Sequence, residues 1–273
     1  MGVVAWPAVL RFFALSLLVL GACVPNDRPH PAGGEAGAAA GSASGSKLGH
    51  APEPHRPAVR AVADSGAPSR SVLPGPKIEA PFSDNFERST LGADWNVTGG
   101  NWALREGRLC VSGAHNHPAW LMRRLPVNAR IEFEATSSSP EGDLKTEVWG
   151  DGVSAATGNS YTNATSYIVV LGGWKNTFHV LARLDEHGAD RAEMRVEPGE
   201  TDPRAQPVLP DRAYRFKIER SDGKTVRYFV DDIEILSLKD PNPLVGEGHE
   251  HLGFNDWQVP VCFDNLTITP LKS

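Results

Sequence analysis

The stretch Asp143-Leu144-Lys145-Thr146-Glu147-Val148-Trp149-Gly150-Asp151 carries residue types that recognise sugars. Strand alternation would place Lys145, Glu147 and Trp149 on one face. An indole packs against sugar C–H faces, while an ammonium and a carboxylate hydrogen-bond hydroxyls. The same run also fits an ordinary amphipathic strand with a solvated charged face. A second set lies between Trp174 and His187: Trp174, Asn176, Arg183, Asp185, Glu186 and His187. Trp174 stands beside Gly173 at a turn signal, where a large side chain is expected to be exposed. If this hairpin neighbours the Lys145–Trp149 strand, the two sets share one concave face. Arg183 and Asp185 equally fit a surface ion pair, which adds little to stability. Trp257 is a third aromatic candidate, suited either to an exposed platform or to packing between loops.

Histidine offers a different chemistry. His115-x-His117 and His249-x-His251 have the i, i+2 spacing that points two imidazoles the same way on a strand, as metal ligands can. Both pairs lie in loops containing Gly or Pro, and nothing fixes a third ligand. Transition-metal binding is therefore not the reading carried forward.

The elements that must position these groups are strands. Tyr167 to Leu171 is a short apolar run dense in β-branched residues, suited to a strand buried on both faces. Gly172 and Gly173 supply a turn. From Phe178 to Asp185 the pattern alternates. Phe178, Val180, Ala182 and Leu184 share one face, read as a hydrophobic back; His179, Leu181, Arg183 and Asp185 share the other, read as a binding front. Further strand signals cover Phe82 to Phe86, Asn96 to Thr98, Trp102 to Arg105, Arg108 to Ser112 and Ala119 to Arg123. Others cover Arg130 to Ala135, Lys145 to Trp149, Arg191 to Val196, Tyr214 to Glu219, Thr225 to Val230 and Ile233 to Leu238. Leu252 to Asn255 and Val261 to Thr269 close the chain. Turn signals recur every 8 to 12 residues and no helix pattern stands out, the signature of an all-β sandwich or jelly roll.

The whole chain has 273 residues and a formal charge of -6. That balance argues against nucleic acid as a partner. Residues 1–22 read as an export signal: Phe12 to Leu20 is apolar but too short to span a bilayer. Leu20-Gly21-Ala22-Cys23 resembles the bacterial lipobox. That resemblance implies lipidation of Cys23 and a membrane anchor, since each buried CH₂ contributes ~0.8 kcal/mol and several chains together hold stably. Val24, where an inner-membrane retention signal would often place aspartate, favours the outer membrane of a bacterial cell envelope. Residues 23–78, after the lipidated cysteine, are rich in Ala, Gly, Pro and Ser and read as a disordered tether. A flexible linker of that length reaches on the order of 40 Å. Residues 79–273 are the folded domain.

The opening FSDNFERSTLGADW, the hairpin YFVDDIEIL and the closing VCFDNLTITP resemble the concanavalin A-like lectin/glucanase superfamily. The resemblance implies a jelly-roll β-sandwich of two antiparallel sheets. Related glucanases carry three acids at every second position of one strand. Here Glu147 and Asp151 have the outer spacing, but Trp149 holds the middle place. The two carboxyl groups ~5 Å apart that retaining glycoside hydrolysis needs are thus not supplied. No catalytic residue is expected; were the protein an enzyme, Glu147, Asp151 and Asp185 would be the candidates. The superfamily often carries a structural calcium, for which Asp84 and Asp264 could supply hard oxygen ligands. No other cofactor is expected. With Cys23 set aside, Cys110 and Cys262 each sit in a strand signal, outside the reducing compartment. A disulfide between them is expected, against the alternative of two buried thiols.

The function expected is a lipid-anchored lectin-like module holding a carbohydrate or cell-wall glycan on its concave face. The alternatives are a glycoside or keto-sugar hydrolase on the same fold, and a purely structural envelope protein.

Overall fold

The computed structural model describes residues 75–272. The export signal, Cys23 and nearly all of the tether lie outside the described residues. No helix among the described residues is long and apolar enough to cross a membrane.

Fifteen strands build the fold. They are β1 (Phe82–Asp84), β2 (Trp95–Val97), β3 (Ala103–Arg105), β4 (Arg108–Val111), β5 (Ala119–Leu121), β6 (Ala129–Ser137), β7 (Leu144–Gly150) and β8 (Tyr167–Gly172). β9 (Phe178–Arg183), β10 (Ala192–Arg195), β11 (Ala213–Arg220), β12 (Thr225–Val230), β13 (Ile233–Lys239), β14 (His251–Asn255) and β15 (Val261–Pro270) follow. The first sheet runs β13-β12-β11-β6-β15-β4-β3, with β1 also paired to β15. The second runs β10-β9-β8-β7-β14-β5-β2. Every strand pair is antiparallel. This is the expected all-β jelly-roll sandwich. Its first contacts begin slightly before residue 79: Ile78 is buried and Lys77 bridges Arg124.

The alternation of β6 shows why the sheets pack. Ile131, Phe133 and Ala135 are buried, while Arg130, Glu132 and Glu134 on the opposite face are half-buried. Aromatic rings then knit the two sheets together. Phe254 of β14 stacks on Phe263 of β15 at 4.2 Å between centroids and meets Phe133 of β6 edge-on at 5.1 Å. Offset or edge-on aromatic pairs of this kind add to the area they bury. β8 is buried at every position, as its continuous apolar run requires. Its two faces feed different clusters. Tyr167, Val169 and Leu171 enter the core between the sheets; Ile168 and Val170 join Tyr161, Ala164, Val180 and Ala182 on the other side.

β4 and β15 place Cys110 directly opposite Cys262, and the two form a disulfide with a sequence separation of 152. Closing a loop of that length contributes ~4–5 kcal/mol on the chain-entropy model.

Two buried charges hold the sandwich from within. Arg220 of β11 crosses to the second sheet, its guanidinium lying 3.9 Å from the centroid of the Trp149 ring. Its Nε donates to the Val127 carbonyl and its Nη1 to that of Leu244. Nearby, the Tyr167 hydroxyl donates to Asp240 at 2.7 Å, and Arg183 pairs with the same carboxylate.

Candidate functional site

Lys145 is the centre of the site. On β7 it points away from the sandwich core, yet only 2% of its side chain is exposed. Its Nζ donates to Glu186 Oε1 at 2.7 Å and to Asn116 Oδ1 at 2.9 Å, while Asp143 Oδ1 lies 4.0 Å away. An ammonium has three donors; two are taken, and 4.0 Å is beyond hydrogen-bond reach. The third donor is thus uncommitted to the protein. Burial would drive the Lys145 pKa down, but the carboxylates of Asp143 and Glu186 outweigh it and hold the pKa above its ordinary value. The group is a fixed cation and does not serve as a base at neutral pH.

The carboxyls brace the walls as well as the charge. Asp143 Oδ2 accepts from the Trp257 amide at 3.1 Å. Burial pushes the Asp143 pKa up against the pull of Lys145. Asp256 accepts from the Ala114 and Val259 amides, and burial together with the Asp143 charge pushes its carboxyl up to about 7. These contacts fix the Ala114–His117 turn that delivers Asn116. His115 and Asn116 both have positive φ, at 52° and 59°. Asn tolerates that conformation better than most residues.

Above this floor opens a cavity of about 330 Å³. Trp174, Trp257 and His187 wall it, with Lys145, Asp143 and Glu186 at its base. Trp174 arrives on an unusual turn. Trp174, Lys175 and Asn176 all adopt left-handed φ between 50° and 62°. Such residues cost roughly 1–2 kcal/mol each, so the turn needs external support. Asn176 provides it: Nδ2 donates to the Pro140 and Val208 carbonyls, and Oδ1 accepts from the Val208 amide. Arg191 lies over the Trp174 ring at 4.7 Å and His187 meets it edge-on at 5.6 Å.

The structure gathers Lys145, Trp174, Glu186, His187 and Trp257 at this cavity and places the other sequence candidates elsewhere. Trp149 is fully buried in the core on the opposite face of β7. A bulge between β7 and β14 at Val148–Gly150, with Trp149 at φ 55°, resets the alternation, so Val148 and Trp149 both face inward. Glu147 keeps the Lys145 face but is sealed. It accepts from Tyr161, Ser166 and Asn255, with no exposed surface, and burial pushes its carboxyl up to about 7. Asp151 caps the turn at Val153 and Ser154. Asn176 pins the hairpin turn as described.

The front and back of β9 are exchanged relative to expectation. Val180 and Ala182 lie on the outer side with the Lys145 face, whereas Leu181 enters the inter-sheet core and Arg183 turns to Asp240. Leu184, at φ 63°, then breaks the period. Asp185 accepts from the His187 amide within its own turn, and its neighbour Glu186 reaches Lys145. The Arg183–Asp185 ion pair does not form.

Asp84 is engaged by Arg88, by the Trp95 indole and by the Phe86 amide. Asp264 accepts from the adjacent Asn265 amide. Among the described residues no group of three or more His, Cys, Asp or Glu is arranged for a metal ion. The histidines of the two i, i+2 pairs each have a separate partner. His115 packs on Trp257, His117 turns to the Ala114 carbonyl, His249 to Thr165 and His251 to Leu121.

Asn116 completes the site from outside both candidate stretches, and Asp143, at the start of the first, joins Glu186 of the second around Lys145. The adjacent acids Asp185-Glu186 were the available signal: one irregular residue before them decides which of the two points inward.

No family model matches the chain, and no curated protein matches it. Solved structures align with it at low identity. A carbohydrate binding module from Bacillus subtilis is 15% identical over 65% of this chain and 96% of its own, with a TM-score of 0.42. A protein with a galectin-like fold, also from Bacillus subtilis, is 14% identical over 69% and 94%, with a TM-score of 0.44. An alginate lyase is 11% identical over 73% and 100%, with a TM-score of 0.44. No residue role follows from these alignments.

Proposed function

We propose that this domain is a glycan-binding module and that the Lys145 cavity is its site. One observation carries the reading: a buried Lys145, charge-paired with Glu186 and with one donor unspent, at the base of a cavity walled by Trp174 and Trp257. Indole rings offer faces for sugar C–H groups. The ammonium, Asp143 and Glu186 offer a donor and acceptors to neighbouring hydroxyls, and a charged partner makes such hydrogen bonds stronger. A few placed polar groups within a largely apolar lining fix the orientation of a small ligand. The buried cation is neutralised on site, so a neutral polyhydroxylated ligand enters without leaving a charge unpaired.

The same proposal places the module outside the cytoplasm, carried on a lipidated Cys23 at the outer membrane of a bacterial cell envelope. The Cys110–Cys262 disulfide supports an oxidising compartment.

The test is retention of the full chain on insoluble and soluble polysaccharides, including peptidoglycan, with reducing ends measured in the same samples. Retention without released sugar is the expected result. Released reducing ends would redirect the reading to a hydrolase, with Asp143 and Glu186 as its carboxyl pair. Failure of the folded chain to bind any polysaccharide would overturn the proposal.

A further inference from the structure

A second depression adjoins the Lys145 cavity, and Trp257 and Asn159 line both. It is more open, about 480 Å³, and is otherwise formed by His115, His117 and the segment Ala156–Gly158. The Ala114–His117 turn serves both spaces. Asn116 reaches inward to Lys145, while His115 and His117 on either side of it line the second depression. Trp257 is held upright between the two by His115, edge-on at 4.9 Å, and by the bond from its amide to Asp143.

Three polar groups here are uncommitted. His117 Nδ1 lies 2.9 Å from the Ala114 carbonyl and 3.0 Å from that of His115. Both partners are acceptors, so Nδ1 carries the proton and Nε2 of the neutral ring is an acceptor. Among the described residues neither His117 Nε2, the Trp257 indole N–H nor the Asn159 amide has a protein hydrogen-bond partner. An acceptor, a donor and an amide bordering one indole suit a second sugar ring beside the first.

The geometry points to a two-subsite groove: the ligand is an oligosaccharide of at least two units, one in the Lys145 cavity and the next in the His117 depression, with Trp257 between them. This rests on the glycan reading of the Lys145 cavity and deepens it from a single ring to a chain.

Gly158 allows the second subsite to be blocked alone. It is exposed, a Cβ added there meets no atom within 4 Å, and its φ is one that other residues adopt. Gly158→Tyr therefore adds bulk at the wall of the depression from a position that does not line the Lys145 cavity. The experiment is a calorimetric titration of the full chain with cello-, laminari-, xylo-, manno- and chito-oligosaccharides of one to six units. Wild type, Gly158→Tyr and Trp174→Ala are compared. For the ladder that binds, affinity is expected to rise about tenfold or more from one unit to two or three. In Gly158→Tyr that gain is expected to vanish while the one-unit affinity persists, and Trp174→Ala should weaken every length. Affinity that is flat with length, or a gain that survives Gly158→Tyr, would overturn the two-subsite groove and leave the single-ring site standing. Binding of no sugar at any length would overturn the glycan reading itself.

Discussion

At the scale of residues, the site is a charge balance struck out of water. Removing one partner of a buried pair leaves the other uncompensated, which costs about 3–5 kcal/mol. Lys145→Met should therefore lower the melting temperature by roughly 10 °C, using the 2–4 °C per kcal/mol typical of a domain this size. Lys145→Met/Glu186→Gln should recover part of that loss, because it removes one stranded charge. Equal melting temperatures for wild type and Lys145→Met would show that the pair is not buried in solution. Glu147 and Asp256 together outweigh His179, which burial holds down to about 4 and which alone would make stability rise between about pH 4 and 6.5. Each of the two carboxyls has a folded pKa near 7, above its ordinary value of 4.5 or 3.8, because burial disfavours the charged form. The folded state then holds protons that the unfolded state has released, so stability falls as pH rises between about 4 and 7. A shift of this size in Glu147 alone is worth on the order of 3 kcal/mol. Asp84 and Asp240 act in the opposite sense: although burial pushes them up, hydrogen bonds hold both below 3.8, so their contribution is lost only in stronger acid. Melting temperature should peak near pH 5, and Glu147→Gln should flatten the decline toward pH 7.5. A wild-type melting temperature that rises from pH 5 to 7.5 would contradict these assignments.

At the scale of elements, the β8–β9 turn delivers Trp174 at a conformational cost that Asn176 offsets with three hydrogen bonds. Asn176→Ala leaves the carbonyl and amide of buried Val208 unpaired, at about 1–3 kcal/mol. Denaturant titration should show that loss, and glycan affinity should fall with it because the indole is no longer held. Unchanged stability would mean that the turn keeps its shape without the asparagine. The strands themselves were legible: period-two alternation located β6, β9 and β11, and the apolar run located β8. The facing of particular side chains was less legible. A single irregular residue inverts everything beyond it. The bulge at Trp149 sent a candidate platform into the core, and Leu184 exchanged Asp185 for Glu186. Each irregularity depends on the partner strand or loop, which composition does not record. Lys145 was legible because it precedes the bulge; Asn116 was not, because a loop 29 residues away supplies it.

At the scale of the molecule, two sheets are joined by a stacked aromatic core, while β4 and β15 of the first sheet are tied by a disulfide that closes most of the domain. Cys110→Ala/Cys262→Ala should lower the melting temperature by on the order of 10 °C, following from the ~4–5 kcal/mol of chain entropy. Wild-type stability in that variant would mean that the bond does not constrain the unfolded chain. The sandwich presents the Lys145 cavity on the outer face of its second sheet, and the account stands or falls on that cavity. The most direct measurement is the dissociation constant for the best-retained polysaccharide in wild type, Trp174→Ala and Trp257→Ala, each checked for an unchanged fold by circular dichroism. Truncating a central tryptophan anchor of a binding site costs ~2 kcal/mol or more, so each variant should bind at least about 30-fold more weakly. Equal affinity in all three would place any glycan elsewhere on the molecule and contradict the account.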